Sequence, residues 1–192
     1  MLPSYTQLGM AALLPHQQLA IADNQTGETL VDGQSSKGSD NRKKILNKRL
    51  SASDVILAKN FMVLNRDDSR AIVRDNDVLY IYHNLIDKTG DSLGTEERTF
   101  DAAEQTLAEM ISLIKKLTNA NVNNILLTAD HGFIYQDQTL AESDFLSSDP
   151  QASTVLYRNR RFLLGKCFQP HPSFKHFHSS QLGLVGDVEV ML

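Results

Sequence analysis

The stretch ILLTADHGF, at residues 125–133, decides the fold. Its short apolar run, closed by polar residues, predicts a buried strand over residues 125–128. Asp130 and His131 follow that strand directly and precede a glycine. Since ligands of open α/β sheets bind outside the carboxyl ends of the strands, we expect a metal ion or a phosphate at these two residues. Taken alone, the tripeptide Asp-His-Gly is also compatible with a turn whose histidine is a surface or capping residue.

A second strand is predicted upstream of this stretch. Residues 78–82, VLYIY, are β-branched and aromatic and follow the turn signal Arg-Asp-Asn-Asp. A polar loop is expected over residues 83–91, and apolar positions at three- and four-residue spacing predict a helix over residues 100–117. The order strand, helix, strand indicates a βαβ unit, so the strands at 78–82 and 125–128 should be parallel. We therefore expect an α/β fold with a mostly parallel sheet flanked by helices.

Parallel strands end at the same edge of a sheet, and four candidate ligands follow these two strands. They are Asp87, Asp91, Asp130 and His131. Three carboxylates and an imidazole suit one or two divalent cations, and the mixed donor set favours zinc or manganese over magnesium or calcium. Two metal ions a few ångströms apart can hold the attacking and leaving oxygens of a phosphoryl displacement.

The amino-terminal residues 4–14 predict a helix that Pro15 closes. Ser4 or Thr6 can cap it, and the small residue Gly9 allows a neighbour to approach closely. A hydroxyl at a helix start lies where backbone N–H groups favour an anion, and metal activation would make it a nucleophile. The plainer interpretation is a capped core helix.

The segments between these motifs carry weaker signals. A short strand is expected over residues 19–23 and a polar surface loop over residues 25–50, with a basic cluster at 42–49. A helix is predicted over residues 53–64, with Ser53 as its N-cap. The basic cluster can bind a polyanion, although a solvated face is the commoner role of such a cluster.

The last third of the chain predicts one strand over residues 157–165, entered through the basic residues Arg158, Arg160 and Arg161. His171, His176 and His178 lie among prolines and aromatic residues, which favours a surface loop. The alternating residues 188–192 resemble an unfinished strand, so the sequence is expected to be cut from a longer domain.

Composition limits the class of protein. The 192 residues are 41% hydrophobic, which suffices for one domain with a sizeable core. The net charge of −4 argues against a protein whose main role is to cover nucleic acid or a membrane surface. Cys167 is the single cysteine, so no internal disulfide can form. No apolar run approaches the roughly 18 residues of a membrane span. We expect a soluble cytoplasmic protein without membrane contact.

Three blocks together resemble the PglZ family, a branch of the alkaline phosphatase superfamily found in bacterial BREX phage-defence systems. They are LPSYTQLGMAALLP at 2–15, YIYHNLIDKTGD at 80–91 and TADHGF at 128–133, in the family's order. The resemblance implies an alkaline-phosphatase-like core, truncated at both ends, and a metal-dependent phosphatase or phosphodiesterase. It also implies partners among other defence-system proteins.

The resemblance further implies a role for each candidate residue. Thr6 resembles the nucleophile, with Ser4 as the fallback, and Asp87 resembles the first metal-binding aspartate of its loop. Asp91 stands where many relatives have a histidine, a departure that would weaken the site or change its metal preference. Asp130 and His131 resemble the pair that holds the second metal.

Two ligands of the superfamily have no match in this sequence: an aspartate ahead of the nucleophile and a late histidine. His171, His176 or His178 could substitute for the latter, although their spacing gives no support for it. We therefore expect an incomplete site and poor or absent activity from this piece alone.

The alternative is a catalytically degenerate module that binds partners of the defence complex. A third possibility is nucleic-acid binding through the basic clusters. It would be part of the phosphodiesterase hypothesis if the substrate of that enzyme were a nucleic acid.

Overall fold

The computed structural model describes residues 1–90, 99–132, 152–159 and 161–192. In chain order its elements are α1 (Thr6–Ala12), β1 (Leu19–Ile21), β2 (Thr29–Val31), β3 (Gln34–Ser35), α2 (Ser39–Arg49), β4 (Ser53–Leu57), α3 (Ala58–Val63), α4 (Arg66–Arg74), β5 (Val78–Tyr82), α5 (Leu85–Gly90), α6 (Thr99–Asn119), β6 (Thr154–Arg158), β7 (Leu163–Lys166), β8 (His176–His178), a 3-10 helix (Ser179–Leu182) and β9 (Glu189–Met191).

The chain forms two compact units. Unit 1 comprises Met1–Ile45 and Thr128–Leu192, and unit 2 comprises Leu46–Leu127. That the whole chain is one partial domain stays a prediction.

The amino-terminal part of unit 1 is α1 with a small antiparallel sheet in the order β1-β2-β3. The predicted helix and the predicted short strand are both present. The two residues between β2 and β3 are Asp32 and Gly33, with φ values of 48° and 80°. Positive φ at both positions is the type I′ geometry that suits a tight hairpin, and Asp-Gly is a sequence that favours it.

The segment 25–50 is therefore not the polar surface loop that its composition predicts. It contains β2, β3 and the 11-residue helix α2, and Val31, Ile45 and Leu46 are buried. The few apolar residues of this segment lie on the inner faces of short elements, where an average over a polar window hides them. The basic cluster at 42–49 lies on α2.

The carboxyl-terminal part of unit 1 is an antiparallel sheet in the order β6-β7-β9-β8. The single strand predicted over residues 157–165 is in fact parts of two, because the chain reverses between β6 and β7. Leu163, Phe168 and Met191 form a buried cluster against this sheet. The alternating pattern near residue 190 is confirmed as a strand, β9, which pairs with β7 on one side and β8 on the other.

Unit 2 contains a parallel pair of strands, β4 and β5, with Ser53 opposite Val78 and Leu57 opposite Tyr82. The prediction of β5 is confirmed. The prediction of one helix over residues 53–64 is wrong for its first half, which is β4, and right for its second half, which is α3. Ser53 caps no helix; its hydroxyl donates instead to the Asn47 side chain and the Leu50 carbonyl.

The core of unit 2 lies between this pair of strands and the helices α3 and α6. Phe61, Leu113 and Leu117 are buried there. The predicted helix over residues 100–117 is confirmed by α6, which ends where Asn121 adopts a φ of 73°. The Asn121 N–H donates to Thr118 and the Val122 N–H to Leu117, the Schellman pattern that satisfies the last carbonyls of a helix.

The strand predicted over Ile125–Thr128 is wrong. These residues have no regular structure, and Leu126 is 91% exposed. An apolar run becomes a buried strand only when a neighbouring strand supplies its hydrogen bonds. Within the part of the chain that the structure describes, β5 pairs with β4 and no strand pairs with this run. The expected loop over residues 83–91 also differs, because α5 occupies Leu85–Gly90.

The mixture of helices and strands confirms the α/β class. The mostly parallel sheet is not confirmed: among the described strands, the parallel sheet has two strands and the other two sheets are antiparallel. Among the described helices, none is both long and apolar enough to cross a membrane.

Candidate metal centre

Helix α1 places Thr6 at its first residue. The N-cap is Tyr5, whose side chain does not cap the helix, so the prediction that Ser4 or Thr6 is the cap is wrong. The buried Tyr5 hydroxyl donates to the Gly27 carbonyl at 2.9 Å and lies 3.2 Å from the Thr29 hydroxyl. Burial raises the pKa of Tyr5 to about 12. Tyr5 thus fixes the start of α1 against the β1-β2 hairpin.

The next turn of α1 lies directly against Asp130. A Cβ atom at Gly9 would come within 2.3 Å of the Asp130 carbonyl oxygen and 2.9 Å of its Cβ. Any side chain at this position would overlap backbone atoms. Gly9 is therefore the reason that the helix and the Asp-His segment can lie so close together.

This close approach brings together two residues that are 125 positions apart. The Thr6 hydroxyl lies 3.2 Å from Nε2 of His131. A carboxylate oxygen of Asp130 lies 3.7 Å from the same nitrogen. The Asp130 and His131 side chains are about one-fifth exposed, so the three groups are shielded but reachable from solvent.

The second nitrogen of the His131 ring determines what Nε2 can do. Nδ1 lies 3.0 Å from the Gly132 carbonyl. Since a carbonyl can only accept, Nδ1 carries the hydrogen, and a neutral ring then has its lone pair on Nε2. A backbone carbonyl on the far nitrogen is also the usual support for a metal-binding histidine.

The distances within this centre fit one divalent cation. With bonds of about 2.1 Å, a zinc ion can join two donors up to about 4.2 Å apart. Both the Asp130–His131 and the Thr6–His131 separations lie inside that limit. A carboxylate oxygen and an imidazole nitrogen also form the mixed donor set that suits zinc or manganese.

The two other predicted ligands are Asp87 and Asp91. Asp87 lies in unit 2, in the first turn of α5, and is half-buried. Asp91 lies outside the described residues. The metal-binding roles of Asp87 and Asp91 stay predictions, as do the roles of Thr6, Asp130 and His131.

The structure also shows a cluster that the sequence does not indicate. His176 and His178 are not in a surface loop but on β8, where both face Glu189 of β9. Together they are a three-residue group whose donor atoms all lie within 4.8 Å of one another. Glu189 lies 11 residues beyond His178, and only the pairing of the two strands connects them.

A hydroxyl, a carboxylate and an imidazole lie together at the start of α1, and such groups occur in metal-assisted phosphoryl transfer. The family comparison places the chain in the class of alkaline phosphatase-like domains. The chain belongs to the PglZ family: residues 1–192 match the domain described as the BREX system PglZ alkaline phosphatase-like domain. The resemblance seen in the three sequence blocks is thereby confirmed.

Two curated relatives support this assignment. The chain is 39% identical over 165 residues to the alkaline phosphatase-like protein BrxZ of Escherichia coli O9:H4 (strain HS). It is 40% identical over 164 residues to the alkaline phosphatase-like protein PglZ of Bacillus cereus (strain H3081.97). Each alignment covers 85% of this chain and 19% of the relative, so the chain spans about a fifth of these proteins. No solved structure matches the chain.

Proposed function

We propose that the chain carries part of a metal-dependent phosphatase or phosphodiesterase site of a phage-defence protein, with Thr6 as nucleophile and Asp130 and His131 as metal ligands. The observation that supports it most is the 3.2 Å contact between the Thr6 hydroxyl and His131 Nε2. The family resemblance also implies that these two residues belong to one site. The proposed setting is the cytoplasm, and the proposed partners are other proteins of the defence system.

The chemistry assigns a separate task to each group. The Thr6 hydroxyl loses its proton to solvent and its oxygen attacks phosphorus. The bond from phosphorus to the leaving oxygen breaks with its electron pair on that oxygen, which takes up a proton from water. Water later attacks phosphorus, which releases the phosphate and restores the Thr6 hydroxyl. His131 would direct its one Nε2 lone pair at a bound ion beside the Thr6 hydroxyl, because the Gly132 carbonyl orients the ring through its other nitrogen. A bound zinc or manganese ion would supply positive charge that favours the ionised hydroxyl. Asp87 and Asp91 are the proposed further ligands.

The test is the metal content of the 192-residue chain after incubation with zinc or manganese. We expect an Asp130→Ala, His131→Ala variant to lose one equivalent of metal, since it lacks the two donors. Thr6→Ala should keep most of the metal. In a protein that turns over a phosphoester, Thr6→Ala should abolish turnover and Thr6→Ser should retain part of it. An Asp130→Ala, His131→Ala protein that stays folded and binds as much metal as the original would contradict the proposal.

The alternative is a degenerate phosphatase fold kept as a binding module of the defence complex. The observation that favours it concerns ligand number. Among the described residues, the three-ligand group is His176, His178 and Glu189, whereas Asp130 and His131 are two ligands. Metal-independent binding of another defence protein, unchanged in the Asp130→Ala, His131→Ala variant, would support this alternative.

A further inference from the structure

The pairing of β8 with β9 puts three potential ligands on one face of a sheet. His176 and His178 are two residues apart on β8, so their side chains leave the same face. Glu189 is directly opposite His178 in the antiparallel register and therefore shares that face. The arrangement follows from strand register alone and needs no loop to hold it.

Both histidine rings are directed at the Glu189 carboxylate. His176 Nε2 lies 3.1 Å from Oε2, and His178 Nδ1 lies 3.5 Å from Oε1. The backbone N–H of Phe168 donates to Oε2 at 2.9 Å, which fixes the carboxylate from a third direction. A carboxylate oriented by a backbone donor is the outer support that metal-binding carboxylates commonly have.

The Glu189 carboxylate is largely shielded from solvent. The side chain is 14% exposed, with the buried Met191 and the Phe168 ring beside the cluster. Within the described part of the chain, its ion-pair partners are the two histidines, which carry charge only when protonated. A shielded carboxylate keeps its charge at lower cost when a cation joins it.

We propose that His176, His178 and Glu189 bind a divalent cation, with zinc as the favoured ion. Two imidazole nitrogens and a carboxylate oxygen are a three-ligand set from which zinc keeps a fourth, open position. The donor atoms lie within 4.8 Å of one another, slightly more than two zinc bonds can span. The His178 side chain, which is 60% exposed, would have to turn towards the ion to close the difference.

The neighbouring contacts keep the site in place. The Ser179 hydroxyl donates to the Val188 carbonyl, and Lys175 and Leu192 exchange two backbone hydrogen bonds of 2.8 Å. These contacts hold β8 and β9 together on both sides of the ligands. The ion would thus bind between two strands whose pairing is already fixed, and it would link the edge strand β8 to the central strand β9. This site shares no residue with Thr6, Asp130 and His131 and does not depend on their proposed function.

The test is zinc binding by the 192-residue chain, with zinc alone as the probe. The titration is run on the original chain and on the Asp130→Ala, His131→Ala variant, which removes the other centre. In both backgrounds, His178→Ala and Glu189→Gln should lower the affinity for one zinc equivalent by at least about tenfold. His171→Ala, which removes a histidine outside the cluster, is the matched control and should leave that affinity unchanged. Circular dichroism verifies that each variant is folded.

Cobalt gives a second readout, because its visible spectrum reports the ligand geometry. We expect a tetrahedral Co²⁺ spectrum that His178→Ala abolishes and His171→Ala retains. If folded His178→Ala and Glu189→Gln bind zinc as tightly as His171→Ala, the cluster is a hydrogen-bonded surface group and the proposal is wrong. Because the site is also measured without Asp130 and His131, its failure is distinguishable from failure of the proposed function.

Discussion

The two candidate metal sites of unit 1 are built in different ways. The first joins the start of α1 to an irregular segment, and its geometry depends on the close approach of Gly9 to Asp130. The second lies on two paired strands, and its geometry depends on the register of His178 and Glu189. The first is visible in the sequence because its residues stand in contiguous motifs. The second is invisible there because register is a property of the fold.

The comparison implies different sensitivities. A segment without regular structure is held by a few contacts, so one misplaced atom can move its ligands. Paired strands share many backbone hydrogen bonds, so a change elsewhere in the chain is expected to leave the strand-borne ligands in place.

The largest effect is expected from Gly9→Ala. The added Cβ would lie 2.3 Å from the Asp130 carbonyl oxygen, which cannot rotate away as a flexible side chain would. Overpacking of this kind costs up to about 3 kcal/mol, although alanine alone would favour a helix by about 1 kcal/mol. We expect Gly9→Ala to lose the metal of the first site and to keep zinc at the His176, His178, Glu189 site. Urea unfolding and zinc titration measure the two effects.

Gly132→Ala is the matched control for that substitution. It lies in the same segment and has no left-handed φ, and a Cβ atom added there would have no atom of the described residues within 4 Å. Its unfolding free energy should change by less than about 0.5 kcal/mol. Equal effects of the two substitutions would mean that the contact between α1 and Asp130 does not hold the first site together.

A smaller effect is expected from the pH dependence of Tyr5. Because its pKa in the folded chain is about 12, against 10 ordinarily, the folded state holds the proton more tightly than the unfolded state. This contribution is complete below pH 10 and is lost as the pH rises towards 12. By pH 12 the loss amounts to about 2 kcal/mol, because the unfolded tyrosine is then almost fully ionised while the folded one is half ionised.

Comparison with Tyr5→Phe isolates this contribution, because the other titrating groups are common to both proteins. The difference in unfolding free energy between the original chain and Tyr5→Phe should shrink as the pH rises from 9 to 12. A difference that stays constant over this range would show that Tyr5 is not shielded and does not anchor the start of α1 as described.

Much of this structure follows from local sequence signals, and the strand predicted at residues 125–128 shows where such signals stop. The helix α6 and the strand β5 are confirmed because periodicity and β-branching act within one element. The approach of Thr6 to His131 was implied by the family resemblance. The prediction of a strand over Ile125–Thr128 is wrong because a strand also needs a partner strand, which the local sequence does not reveal.

The Asp32-Gly33 turn and the pairing of His178 with Glu189 differ in how far the sequence indicates them. The Asp32-Gly33 turn carried a hairpin signal, but the polar composition of residues 25–50 concealed it. The link from His178 to Glu189 carried no local signal, because strand pairing rather than spacing brings them together. The two-residue spacing of His176 and His178 can be read from the sequence. Their proximity to the Glu189 carboxylate cannot, because it depends on strand pairing.

The smallest effect is expected from Glu189→Gln in the metal-free chain, and it separates two explanations of the strand-borne cluster. If the cluster is only a hydrogen-bonded network, its charge matters to stability with or without metal. If it is a cation site, the carboxylate charge matters mainly when an ion is bound.

Glutamine keeps an oxygen that can accept from the Phe168 N–H. Without metal, the unfolding free energy should therefore change by less than about 1 kcal/mol. With zinc present, the original chain should gain stability that Glu189→Gln does not. A large loss in the metal-free variant, with the same zinc-dependent gain as the original, would show that Glu189 stabilises the strand pair by itself and binds no ion.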